Sequence, residues 1–292
     1  MPWLLTLILA VVLIAPAATP GGGGGARDNG GVTIPLAPLT ADQLGPLPAV
    51  TAARGGNPPL VVIDAGHGGR DPGATSVLGG TPERDVTLAL ALAMRDALAA
   101  TGRVRVALTR SDNSYIALED RYAIARRLGA DLFVSVHADI APANDQARGA
   151  TVYTLSEVAS DREAATLAAR ENEADRMGAA RMSGDPNVNL ILIDLAQRES
   201  MDRSAEFARL LHREAAPIFP FRPVWHRFAA FIVLKAPDIP SILFEAGYLS
   251  NPTDAGYLQS AEGRTQIADG MRRAIEAHFA RRFLRQEIAA AE

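Results

Sequence analysis

The chain of 292 residues has no cysteine, which excludes disulfides and thiolate metal sites. Any metal it holds must be bound by histidine and carboxylate. Histidine is itself scarce, five in all, so imidazole ligands have few candidates. Lysine is scarcer still: Lys235 stands alone and the rest of the basic charge is arginine. A net charge of −4 gives nucleic acid no electrostatic reason to bind. There is no HExxH pair, so histidine ligands must meet from distant segments. The glycine-rich stretch "GHGGRDPG" has no Lys followed by Ser or Thr, so it is not a phosphate-cradling P-loop.

What is present is an apolar fraction of 48%, enough for the core of one domain with an insertion. The apolar run Leu4–Ile14 is too short to span a bilayer comfortably and ends in "APA". Residues 1–18 therefore read as a signal peptide, although no Lys or Arg precedes the run and an uncleaved anchor stays open. Residues 19–58, rich in Gly, Pro and Ala, read as a flexible linker, and residues 285–292 as a tail. The expected location is the periplasm.

Residues 59–284 alternate between strand and helix patterns. Strands are predicted at 60–65, 104–109, 131–138, 150–155, 231–234 and 241–247. Helices are predicted at 81–100, with Thr81 as N-cap and Gly102 closing it, at 118–128, ended by Gly129, and at 265–283. The alternation argues for an α/β fold, a mostly parallel twisted sheet flanked by helices and phosphorylase/hydrolase-like. The stretch 156–225 is helical in pattern and far longer than one crossover needs, so it reads as a helical insertion. Ser160 and Glu163 suggest a capping box at its start.

His67 and His137 each lie where a buried apolar strand ends. Beyond the carboxyl ends of parallel strands is where such sheets bind ligands, so the two can meet there. Taken singly, either could be a structural histidine. His212 and His278 fall on helices as surface or edge residues, and His226 lies in "VWHRF" just before a predicted strand. A catalytic zinc commonly takes two histidines and a glutamate and keeps a fourth position for water. Glu83, in the first turn of the helix after the glycine loop, fits the third place. It is also what a helix N-terminus favours without any metal. Glu245 lies in the apolar run "SILFEAG", where burial costs energy unless the carboxylate is paired or used. Desolvation there raises its pKa toward that of a general base, unless backbone donors satisfy it.

The segments "IDAGHGGRDPGA", "ERDVTLALA", "LTRSDNSYIALEDRYAIARRLGADLFVSVHAD" and "IPSILFEAGYLSNPTDAGYL" resemble the zinc-dependent N-acetylmuramoyl-L-alanine amidases, in order, from about Leu60 to Phe283. The resemblance implies Zn2+ on His67, Glu83 and His137, and Glu245 as the catalytic glutamate. It implies peptidoglycan as substrate, cut at the amide between N-acetylmuramic acid and L-alanine during wall remodelling and daughter-cell separation. Asp139 stands where many members have Asn, and Arg84 where Lys is frequent. The insertion is similar to the helical insert of the division-type members. That likeness implies an autoinhibitory lid moved by a LytM-type activator. The plug carboxylate is expected to be Glu157, with Glu171 and Glu173 as second choices. A monomer is expected. The competing readings are a zinc peptidase or deacylase on another envelope substrate, and a non-catalytic peptidoglycan binder that has lost a ligand. None of the four positions is lost here.

Overall fold

The computed structural model describes residues 46–141, 144, 146–173 and 190–291, with the side chains of 190–195 and 291 left aside. The expected signal peptide and most of the expected linker lie outside the described residues. Among the described residues six strands form one sheet: β1 (Leu60–Ala65), β2 (Arg105–Leu108), β3 (Leu132–Asp139), β4 (Ala150–Leu155), β5 (Phe221–Ala229) and β6 (Ser241–Tyr248). Their order is β2-β1-β3-β6-β4-β5. Neighbours run parallel except β4 and β6, which are antiparallel. The helices are α1 (Glu83–Thr101), α2 (Leu118–Leu128), α3 (Arg162–Glu173), α4 (Leu190–Ala215), α5 (Pro252–Gln259) and α6 (Ala261–Ala291).

β1 is buried along its whole length because helices cover both sides of the sheet. Alternate residues feed two cores. Val61, Ile63, Val134, Ile242 and Phe244 pack with α1, α6 and the second half of α4. Leu60, Val62, Phe133, Leu243 and Tyr153 pack on the other face with α2 and α3. Since strand side chains alternate, Asp64, Ser135, His137, Thr151 and Glu245 belong to this second face. It is the polar end of that face that becomes the site.

Several expectations are corrected. The segment "FIVL" is not a strand: Ile232–Leu234 form one turn of 3₁₀ helix, and the strand is the preceding Phe221–Ala229. Pro223 inside β5 is tolerated because β5 is the sheet edge, where a missing N–H leaves no ladder bond unmade. The stretch 156–225 is not one insertion. Phe207, Ala208, Leu211 and Ala215 of α4 enter the first core, and β5 extends the sheet; among the described residues of this stretch, α3 is the helix that reaches the site on the second face. Thr81 does not cap α1; Pro82 holds that place and the Thr81 hydroxyl donates to Gln259. The cap of α3 is Asp161, whose Oδ1 accepts from the Ala164 N–H, while Glu163 turns away to arginines on β5. The expected tail is helical, as α6 continues to Ala291.

Candidate metal centre

Three adjacent strands end at one place. β1 leads to His67, β3 carries His137, and β6 carries Glu245 directly opposite His137 in register. β1 and α1 are joined by a tight loop that returns Glu83 to the same spot. Two glycines make this approach possible. A Cβ on Gly66 would lie 2.5 Å from the His137 ring, and one on Gly73 would lie 2.6 Å from the His67 ring and 2.7 Å from Glu83 Oε2. His67 itself has φ of 61°, a left-handed conformation rare for a side chain of its size, which the surroundings must enforce.

They do so with two buried arginines. Arg121 donates to Asp64 Oδ1 at 3.0 Å, to the Ala65 carbonyl at 2.8 Å and to the His67 carbonyl at 2.9 Å. Arg110 donates to the Ala65 carbonyl at 2.9 Å and the Gly66 carbonyl at 2.8 Å. The His67 ring is oriented by Asp71, whose Oδ2 lies 2.8 Å from Nδ1. That leaves Nε2 facing the cluster. Glu83 is fixed at both oxygens: Oε2 accepts from the Ala74 N–H and Oε1 from the Ala138 N–H, each at 2.9 Å.

Four donor atoms converge. Glu83 Oε1 lies 3.0 Å from His67 Nε2 and 3.2 Å from His137 Nδ1. Glu171 Oε2 lies 3.4 Å from His67 Nε2 and 3.3 Å from His137 Nδ1. Ligands about 2.0 Å from a tetrahedral ion stand about 3.3 Å from one another, so these separations suit one small cation. His67, His137 and Glu171 are all buried and form a group able to hold a metal. The electrostatics agree. Burial works against the imidazolium, yet Glu83, Glu171 and Asp71 together hold His67 well above its usual pKa. Burial likewise opposes ionised Glu83, and the two histidines hold it well below the carboxylate range. The cluster favours positive charge at its centre, whether proton or metal.

The structure thus brings together His67, Glu83 and His137, with Glu245 beside them on the same sheet face. Glu157 is exposed and makes no part of the group. Glu171, one of the two second choices, is the insert carboxylate that reaches the histidines, because the last turn of α3 passes over them. Glu173 is also exposed. Glu171 Oε1 is held by Arg170, which donates as well to Asp139 at 2.6 Å. Burial pushes the Glu245 carboxyl well above the usual range, reinforced by Asp139, Glu83 and Glu171. His226 lies 3.0 Å from the Thr154 hydroxyl, His212 stacks on Trp225, and His278 packs between Phe207 and Phe279; none joins the cluster. A space of about 10 Å³ opens beside the histidines, lined by Asp71, Tyr115, Ile116, Leu118 and Glu171. That is no more than one water requires.

Asp71, Arg110, Arg121 and Arg170 were not singled out from sequence. Only Asp71 left a signal, an acid four residues after the loop histidine in "HGGRD".

Residues 61–277 match the family model described as N-acetylmuramoyl-L-alanine amidase. The chain is 35% identical over 239 residues to N-acetylmuramoyl-L-alanine amidase AmiC of Escherichia coli, covering 82% of this chain and 56% of that protein. It is 36% identical over 230 residues to AmiA of Escherichia coli, covering 78% of each. The chain therefore spans only a little over half of the AmiC relative's length. Among solved structures, N-acetylmuramoyl-L-alanine amidase AmiC2 of Nostoc punctiforme superposes with a TM-score of 0.55 at 27% identity, covering 77% of this chain and 99% of that one.

Proposed function

The chain belongs to the N-acetylmuramoyl-L-alanine amidase family, and on that premise we propose that it hydrolyses the amide joining N-acetylmuramic acid to L-alanine in peptidoglycan. The observation that carries this reading is the convergence of His67 Nε2, Glu83 Oε1 and His137 Nδ1 at tetrahedral ligand spacing, with Glu245 beside them. Those three residues hold zinc in this proposal. When bound, zinc supplies Lewis acidity, polarising the scissile carbonyl and acidifying water.

The protein's own groups do the rest. Asp71 keeps the His67 ring turned so that Nε2 is the ligand. Glu245, beside the centre on the same sheet face, accepts the proton of the attacking water. It then delivers that proton to the L-alanine nitrogen as the C–N bond breaks, and returns to the carboxylate. The products are the lactyl carboxylate on the glycan and a free amine on the stem peptide.

Glu171 supports an autoinhibited reading. Its Oε2 sits where a fourth ligand would, and the space left beside the histidines is too small for a glycopeptide. In this proposal α3 is the lid and Glu171, not Glu157, is the plug. A LytM-type activator lifts it. The enzyme is exported to the periplasm, acts as a monomer and separates daughter cells.

The test is digestion of purified sacculi by the zinc-loaded full chain. Stem peptides with a free L-alanine amino terminus and uncut glycan strands are expected; only cleaved sugars or cleaved crosslinks would end the amidase reading. Glu171→Ala should raise basal activity about tenfold or more. Activity that stays flat in soluble, zinc-loaded protein would end the lid reading.

A further inference from the structure

Among the buried polar atoms that have no hydrogen-bond partner among the described residues, four gather in one place. They are both carboxylate oxygens of Glu245, the Thr151 hydroxyl and the Tyr153 hydroxyl. Thr151 lies opposite Glu245 in the antiparallel β4–β6 pair, so the two side chains leave the same face of the sheet as immediate neighbours. Tyr153, two residues along β4 and opposite Leu243, leaves that face too. Thr151 and Tyr153 are 0% exposed and Glu245 is 1% exposed.

The setting is apolar around a polar middle. The Tyr153 ring meets the Phe231 ring edge-on at 5.3 Å, and Leu243 and Phe231 belong to the same core cluster. Burial, with Glu245 and Asp139 nearby, pushes the Tyr153 phenol upward, so it stays protonated and able to donate. Folded proteins seldom leave one buried polar atom unsatisfied, and four neighbours left so by accident would be very costly. A buried water with two to four polar partners is the usual way such groups are satisfied.

The role of Glu245 as base adds a reason. A carboxylate that takes a proton on one oxygen works best when the other is held by donors. We propose that Thr151 and Tyr153 are positioning residues for Glu245: their hydroxyls hold its outer oxygen through one shared buried water, leaving the other oxygen free for proton transfer. The proposal rests on Glu245 being the base.

The test compares Thr151→Val, Tyr153→Phe, their combination and Glu245→Gln in the zinc-loaded full chain. Initial rates on a soluble muropeptide are measured alongside zinc content and melting temperature. The hydroxyl double variant should lose about tenfold in kcat, keep KM and zinc, and melt lower; Thr151→Ser should retain the parent rate. A kcat within twofold of the parent overturns the proposal. So does a higher melting temperature, because deleting a truly orphaned hydroxyl relieves a penalty while deleting a water-bridged one adds it. If Glu245→Gln keeps turnover, the base assignment itself falls; if it loses turnover while the double variant does not, only the positioning role falls. A crystal structure should show the water within hydrogen-bond distance of Glu245, Thr151 and Tyr153. A dry contact there overturns the proposal without any rate measurement.

Discussion

His67 follows a strand end whose backbone is tied to two buried arginines, one of which also reaches the start of α1 beside Glu83, whereas Glu171 arrives on a helix whose start is held through a half-exposed glutamate. On the first side, the carbonyls of Ala65, Gly66 and His67 accept from Arg110 and Arg121, which are 3% and 2% exposed. Charge-assisted bonds in such surroundings are strong and barely screened by salt. On the second side, α3 buries only Ala164, Leu167, Ala168 and Glu171. Its start is held by Arg222 and Arg227 on β5 through Glu163, which is 45% exposed. Because the glutamate side of these pairs stands in solvent, screening weakens them relative to the buried arginine bonds. One half of the centre is built to stay in place. The other half is held by fewer buried groups, which is what the proposed lid requires.

The sharpest way to break the fixed half is Arg121→Met. It keeps much of the side-chain volume but leaves Asp64 as a buried carboxylate without its cation. Arg121, with the hydroxyls of Thr109 and Ser135, at present holds that carboxyl below the usual range against the effect of burial. Removing one partner of a buried pair costs about 3–5 kcal/mol. Chemical denaturation should show a loss of that size. A loss under about 1 kcal/mol would mean that the two sides of the centre do not differ as argued.

A smaller effect is expected on α3, the proposed lid. The Asn172 amide makes two bonds to backbone at once: it donates to the Ala230 carbonyl at 2.8 Å and accepts from the Ile232 N–H at 2.9 Å. Asn172→Ala removes both, at about 1 kcal/mol each. Amide exchange in α3 should quicken about tenfold or more while β1 and β3 keep their protection. If protection falls equally in the strands, lid and sheet form one cooperative unit and the comparison fails.

Those two halves were unequally legible in the sequence. The candidate ligands His67 and His137 could be read because each ends an apolar run, and a strand end is a local pattern; Glu83 fitted as an acid in the first turn of α1. The same holds for Leu118–Leu128, whose bounds follow from periodicity and Gly129. The arginines around the candidate ligands were not legible, since most of their partners are backbone carbonyls, which carry no residue identity, and Asp64, the carboxylate paired with Arg121, lies far off in the chain. β5 was missed because an edge strand rich in arginine and containing Pro223 lacks the apolar run of a buried one. The plug was expected at Glu157 on nearness along the chain to β4. What decides contact is how α3 crosses the sheet, and that brings its last turn over the histidines.

The smallest effect is set by pH. Burial tends to raise the Glu163 pKa, but hydrogen bonds and charge from Arg222 and Arg227 outweigh it and hold the carboxyl below the usual glutamate range. A carboxylate depressed in the closed state stabilises that state fully above its ordinary pKa. The contribution is lost as pH falls through the depressed value. The start of α3 should therefore be held through the neutral range and loosen only on strong acidification. The measurement is amide exchange in α3 from pH 7 down to pH about 3.5, with the intrinsic chemical rate divided out. In the parent chain, α3 protection should fall toward the acid end relative to β1. Glu163→Gln should lower it at pH 7, by no more than a few-fold given the exposure of the pair, and should flatten the acid dependence. If the variant and the parent lose protection in parallel on acidification, the arginine pairs on β5 are not what holds the start of α3. The weight would then shift to Asn172, Arg170 and the small apolar footprint.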